Sequence, residues 1–188
     1  MASSDISICS TACLLVGANE IESFTQGTQE AKVCAAIYTV TKDNLLSTHP
    51  WRFSLGQVSL ARLTATPLFG FTYAFQLPPD FIRLININPD SNYKIHEDKI
   101  YCDLTTCDIT YQFSPSEAKF PPYFVRLVEL EMASLLAASL VEDLSKQQMF
   151  QALAEKESRK SRNTDSQNHK GVQVSTSNFG MTKVRFPR

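Results

Sequence analysis

With 188 residues, 43% hydrophobic and 20% charged, the chain has the composition of an ordinary soluble globular protein. It is long enough to bury a core as one domain, or as a domain with an insertion, and its composition excludes a chain too polar to fold. The net charge of −1 hides an asymmetry: residues 155–188 hold eight Lys/Arg against three Asp/Glu, residues 1–154 ten against sixteen. A basic tail on an acidic body points to an acidic partner, a protein surface or nucleic acid, or else to a solvated tail.

In chain order, Ser3 or Ser4 can cap a first helix from Asp5 to about Val16, with Ile6, Cys9, Cys13 and Leu14 along one face and Gly17 to end it. The loop 18–27 carries Ile21 and Phe24 as anchors. A second helix is expected from near Thr28, with Thr28 or Gln29 in the cap region and Glu30 in its first turn. It runs through Ala31, Cys34, Ala35, Tyr38, Thr41, Leu45 and Leu46 until His49-Pro50 stops it. From Trp51 to Ile109 short runs of β-branched and aromatic residues alternate with turns, which predicts a β module with strands at 53–61, 72–76, 81–86, 94–97, 99–103 and 108–113. His96–Lys99 is expected to be a hairpin turn without the usual glycine, and Pro78-Pro79-Asp80 a rigid corner.

The stretch Phe120–Val141 predicts a long helix, started by Pro121 and Pro122. Phe124, Leu127, Val128, Met132, Leu135, Leu136, Leu140 and Val141 recur at three- and four-residue steps, so the helix is apolar nearly all round and wants neighbours on several sides. Between Glu131 and Glu142 the apolar run is ten residues, far short of the roughly 18 a membrane span needs. A kink or break is expected at 143–146 and a last helix from Gln147 to about Arg162, with Phe150 and Leu153 inward and Glu155–Arg159 as an i,i+4 pair. Residues 163–170 are read as a polar break. Residues 171–188 hold Val172, Val174, Phe179, Val184 and Phe186 among Ser, Thr and Asn, too little to fold alone, so they read as an arm that orders on a partner.

Chemistry is sparse. The sequence has no Gly-rich phosphate loop, GxSxG, HExxH or CxxC. His49, His96 and His169 lie in unrelated contexts. Five cysteines, Cys9, Cys13, Cys34, Cys102 and Cys107, leave one over in any full disulfide scheme. The N-terminal segment lacks the basic region of a secretion signal, so reduced thiols in a cytosol-like compartment are expected. Cys9 and Cys13, four apart on a helix, have no His or CxxC to complete a metal set, and buried apolar packing is their expected role. No metal and no cofactor are expected. Cys34 with His49 is the one candidate nucleophile pair. Asp103 and Asp108 flank Cys107 and could ligate a cation, although acids at strand ends usually face water. Trp51, between Pro50 and Phe53, reads as a packing residue at the hinge of the β module. The cations Lys156, Arg159, Lys160, Arg162 and Lys170 lack interleaved aromatics, so they read as a solvated helix face, with non-specific phosphate contact as the alternative.

The order of these elements resembles the head-to-tail adaptors of short-tailed bacteriophages, the tail tubular protein A family. The residues that carry the likeness begin with Ala31 and Leu45-Leu46 leading into Pro50-Trp51-Arg52-Phe53. They continue through the run Phe75 to Leu84, then Tyr93, Ile100-Tyr101-Cys102-Asp103 and Tyr111. Last come Phe120-Pro121-Pro122-Tyr123-Phe124, Leu130-Glu131-Met132-Ala133, Leu136 and Leu140. The likeness spans roughly Cys9 to Arg162. Two departures, Arg52 in place of a small residue and the missing glycine at Glu97-Asp98, bear on turn geometry.

The resemblance implies an α+β fold: a helical bundle of about four helices (1–50 and 114–163), an inserted small antiparallel β module (51–113) and an extended C-terminal arm (164–188). It implies a structural virion protein and not an enzyme, a subunit of a dodecameric ring below the portal that extends the DNA channel and docks the tail nozzle. Its expected partners are the portal protein, a nozzle protein, copies of itself and genomic DNA that passes without sequence-specific binding, with no membrane. Its expected place is the neck of the virion, assembled in the host cytoplasm. On that reading Val172, Val174, Phe179 and Phe186 lie along the portal or a neighbouring subunit, and Phe124, Leu127, Leu135 and Leu136 pack subunits together. Pro50, Trp51 and Phe53 form the module's hinge. The alternatives are another phage neck protein (head completion or tail terminator), a small cytosolic thiol enzyme using Cys34, or a DNA-binding regulator using the basic segment 155–170.

Overall fold

A computed structural model describes residues 3–167 of the protein. The arm residues Val172, Val174, Phe179 and Phe186, together with His169 and Lys170, lie outside the described residues. The order of elements is α1 (Asp5–Val16), α2 (Gln29–Thr48), a 3-10 turn (Arg52–Ser54), β1 (Leu55–Ser59), β2 (Tyr73–Gln76), β3 (Phe81–Asn88), β4 (Tyr93–His96), β5 (Lys99–Cys102), β6 (Asp108–Phe113), a second 3-10 turn (Glu117–Lys119), α3 (Pro122–Ser139) and α4 (Leu144–Gln167). The fold is α+β, with helices at both ends of the described residues and strands between them.

Helix limits follow from capping chemistry. Ser4 Oγ accepts the Ser7 N–H at 3.1 Å while Ser7 Oγ accepts the Ser4 N–H at 2.9 Å, so two amides at the start of α1 are satisfied reciprocally. Gly17, at φ 86°, turns left-handed and closes α1 by donating to Leu14 O, a conformation that costs glycine little. Thr28 Oγ1 accepts the Ala31 N–H at 3.3 Å to open α2.

α3 runs through the middle of the helical body and packs on α1, α2 and α4. Phe124, Leu127, Val128, Met132, Ala133, Leu136 and Ala137 are all buried, in one core with Ile8, Cys9, Cys13, Cys34, Leu46, Phe150 and Ala154. The all-round apolar helix is therefore largely satisfied within one copy. Phe124, Leu127 and Leu136, three of the four residues expected to pack subunits, are buried against the chain's own helices, and only Leu135 reaches the surface, at 38% exposure.

The strands form two three-stranded antiparallel sheets, ordered β1-β6-β3 and β2-β5-β4. They enclose a second core of Leu60, Phe75, Leu77, Ile87, Ile100, Cys102, Cys107 and Ile109, separate from the helical one. The first expected strand is shortened at both ends. Ser54 folds back so that its N–H and Oγ both donate to Trp51 O, which makes a 3-10 turn before β1 begins at Leu55. At the other end β1 stops at Ser59, and the chain crosses to the other sheet, where Ala61 O accepts the Gln76 N–H and Arg62 bridges to Phe75. The glycine-free hairpin turn is held from outside. Glu97 takes φ 56°, and Gln76 Nε2 donates to Asp98 Oδ2 at 2.8 Å and to Asp98 O at 3.1 Å.

Three expectations for the last helix are corrected. α4 begins at Leu144 rather than Gln147, because Asp143 Oδ1 caps it by accepting the N–H groups of Ser145 and Lys146. Leu153 does not face inward but is 41% exposed, and Ala154 takes the inward place after Phe150. Residues 163–167 do not break the helix, which runs on to Gln167, so the arm does not begin at 164. These polar residues stay helical because Ser161 and Asp165, both buried, continue the inward stripe of Phe150 and Ala154 and find partners there.

Leu136→Ala is expected to destabilise the protein by about 2–5 kcal/mol and Leu135→Ala by about 1 kcal/mol or less, measured by urea unfolding. Equal effects would contradict the placement of α3.

Candidate functional site

The distinctive chemistry lies at the collar where the β module meets the helical body. A helix ends with its last carbonyls unpaired, and buried ones need donors. At the end of α2, Ser47 Oγ and Thr48 Oγ1 donate back to Asn44 O and Leu45 O, and further donors come from beyond the helix. Trp51 Nε1 donates to Leu45 O at 2.9 Å, and Gln112 Nε2, from β6, lies 2.7 Å from Leu46 O, 2.8 Å from His49 O and 3.1 Å from Ser54 Oγ. Gln112 is fully buried, and its Oε1 has no protein partner.

Around these bonds the aromatic rings interlock. Trp51 is fully buried, with Phe124 5.1 Å away edge-on and His49 at 4.9 Å. Phe53 lies 4.9 Å from Phe124 and 5.8 Å from Phe120. The expected hinge residues Trp51 and Phe53 therefore sit in a packed joint, with Pro50 exposed at its edge. Edge-to-face contacts at such distances hold a fixed relative orientation of the rings.

The C-terminal part of α4 bolts the collar from a third side. Buried Asp165 accepts the Tyr123 O–H at 2.7 Å and the Arg52 backbone N–H at 3.2 Å, while Ser161 Oγ donates to Tyr123 O at 3.1 Å. His49 Nε2 stands 3.6 Å from Asp165 Oδ2, too long for a strong hydrogen bond. Burial lowers the His49 pKa from 6.5, with Arg162 and Arg83 acting the same way, and this outweighs the pull of Asp165. His49 is therefore neutral at pH 7. Gln112, Ser161 and Asp165 had no place in the sequence reading. The one signal for the last two is the spacing of Phe150, Ala154, Ser161 and Asp165, which keeps one helical stripe through a polar run.

The other candidates lie apart from the collar. Cys13 and Cys34 face each other at 3.6 Å between sulfurs in the helical core, with Cys9 beside them, and all five cysteines are buried and unpaired in disulfides. Cys34 is lowered by its bond to Cys13 but raised more by Cys9 and by burial, to about 12. Burial and Cys102 likewise push the Cys107 thiol up to about 12. Such thiols are not nucleophiles at neutral pH. Cys34 lies within α2 and His49 just past its end, about 20 Å apart along the helix axis, so they form no pair. Asp103 Oδ1 is occupied by the N–H and Oγ1 of Thr72, both at 2.8 Å. Among the described cations of the last helix, Arg159 is 3.9 Å from Glu155 and Lys160 3.3 Å from Glu157, surface pairs of a solvated helix face.

Among the described residues no group of three His, Cys, Asp or Glu side chains is placed to hold a metal, and no helix is long and apolar enough to cross a membrane. No family model matches the chain, and no curated protein does.

Gln112→Met keeps the volume but strips the buried Leu46 carbonyl of its donor and leaves the His49 carbonyl with only the Trp51 N–H, and is expected to cost about 1–3 kcal/mol by urea unfolding; no loss would contradict the capping role. Because His49 binds its proton less readily folded than unfolded, its contribution to stability holds above pH 6.5 and is lost as pH falls below it. His49→Gln is expected to flatten that part of a stability–pH profile, and an unchanged slope would contradict the assignment.

Proposed function

We propose that the protein is a head-to-tail adaptor of a short-tailed bacteriophage, a structural ring subunit that joins the portal to the tail nozzle and extends the DNA channel. The observation that carries this reading is the collar. A β module with its own core is fastened to a helical body through hydrogen bonds and interlocked aromatics, the construction a load-bearing connector needs, and its most elaborate polar cluster serves packing and capping. The element order that resembles the tail tubular protein A family supports the same reading. The chemistry of the described residues supports a structural role, since Cys34 and Cys107 are buried thiols with raised pKa values and Cys34 has no histidine beside it to act as a base.

On this reading the partners are the portal, a nozzle protein and further copies of the chain in a ring of twelve, in the neck of the virion. Genomic DNA slides through without sequence-specific binding, helped by the acidic balance of residues 1–154, which repels phosphate. The basic segment 168–188, with four Lys/Arg and no acid, docks on the portal or a neighbouring subunit through Val172, Val174, Phe179 and Phe186.

Light scattering of the chain alone and mixed with the portal of its phage tests the reading: the adaptor joins the portal as a stoichiometric ring, whereas a monomer that ignores the portal would overturn it. Deleting residues 171–188 is expected to abolish portal docking while circular dichroism stays unchanged, and unimpaired docking would remove the arm from the account.

A further inference from the structure

The β module ends in a feature its fold does not use. Between β1 and β2 the loop Thr66-Pro67-Leu68-Phe69-Gly70-Phe71 carries two large apolar side chains at its tip, Leu68 97% exposed and Phe69 87% exposed. Gly70 takes φ 88° and fixes the bend behind them. Single exposed apolar residues are common on folded proteins, but two adjacent ones on a glycine bend mark a contact surface. The charged side chains that line the pocket beside the loop are Lys94, Lys99 and Glu97, a net positive balance. From residue 60 to 76 the only charged side chain is Arg62, stacked on the Tyr73 ring at 4.3 Å, and Lys94 of β4 lies on the same side of the β2-β5-β4 sheet as the loop.

The complementary surface lies on the other lobe. Residues 3–50, which form α1 and α2, carry five acids against two lysines. There a groove of about 280 Å³ opens between the start of α1, the loop after it, α2 and the second 3-10 turn, with Phe24, Ala35, Tyr38 and Thr39 inside and Asp5 and Glu117 at its rim. Its one cation, Lys42, is already committed to Glu117 at 3.1 Å. A second groove between α2, α3 and α4 is lined by Glu131 and Glu155 as well as Arg159 and Arg162, so it has no net charge to attract a cationic tip.

We propose that the Leu68-Phe69 tip of one copy seats in the Phe24–Tyr38 groove of a second copy, with Arg62 and Lys94 facing the carboxyl groups of Asp5 and Glu117. The inference rests on the ring reading above and names its contact. On the ring reading the interface is heterologous, because each copy offers its tip to one neighbour and its groove to the other. Such contacts close into a ring when the rotation between copies allows.

The test places a benzoylphenylalanine photocrosslinker at position 69 of the full chain and irradiates it at about 1 mM, where even weak contacts are populated. The expected product is a crosslink between copies that maps by mass spectrometry to residues 5–42 or 117. A crosslink to residues 63–101 would mean a reciprocal loop-to-loop pairing and would overturn the proposal, as would a crosslink to any other segment or none at all. Sedimentation adds a second readout: Phe69→Asp, at an exposed site that leaves the fold intact, is expected to weaken self-association about tenfold or more, and unchanged association would also overturn it. A portal-bound ring that forms normally with Phe69→Asp rejects this contact and leaves the adaptor reading standing. Failure of the unaltered chain to form a ring on the portal rejects the adaptor reading first.

Discussion

The end of α2 is the constraint on which the rest of the structure depends. Its last carbonyls point into a crowded interior, where each unpaired acceptor costs about 1–3 kcal/mol. Besides Ser47 and Thr48, the donors come from residues that follow the helix: Trp51, three residues past its end, and Gln112, sixty-three residues after His49, on β6. The Leu46 carbonyl, which Pro50 has no N–H to serve, is satisfied only when β6 is folded and in place. The module in turn is anchored where its first turn begins, at Trp51 and Ser54, and where its last strand ends.

From that joint the remaining features follow. α3 begins beside it and supplies Tyr123 and Phe124 to the collar before it runs on as the central helix of the body. α4 returns antiparallel to α3, and its far end meets the same joint through Ser161 and Asp165. Two cores that share no buried residue are thereby tied through three chain segments. The five cysteines fill small apolar positions in the two cores, and burial is what raises the Cys107 thiol most.

Much of this was legible in the sequence where the signal was local. Ser4 and Gly17 bound α1, Thr28 opens α2, His49-Pro50 closes it, and the six strands fall near their expected places because each has its own alternation and turn chemistry. The misses came where a partner distant in sequence decides. Ser161 and Asp165 lie in a stretch so polar that it reads as the end of a helix, and only Tyr123 and Arg52, about forty and more than one hundred residues away, make it worth burying. Gln112 lies on the face of β6 turned away from the β core, and nothing near it in the chain announces the carbonyls it meets. Leu153 and Ala154 are adjacent, and hydrophobicity alone favours the wrong one; close packing of α4 on α3 favours the smaller side chain.

The collar gives a physical reason why the helical body and the β module would hold together. Differential scanning calorimetry of the full chain tests that central claim most directly. If the collar makes the helical body and the β module one cooperative unit, the protein melts in a single transition with equal calorimetric and van't Hoff enthalpies. Two resolved transitions, with the β module melting apart from the helices, would contradict it.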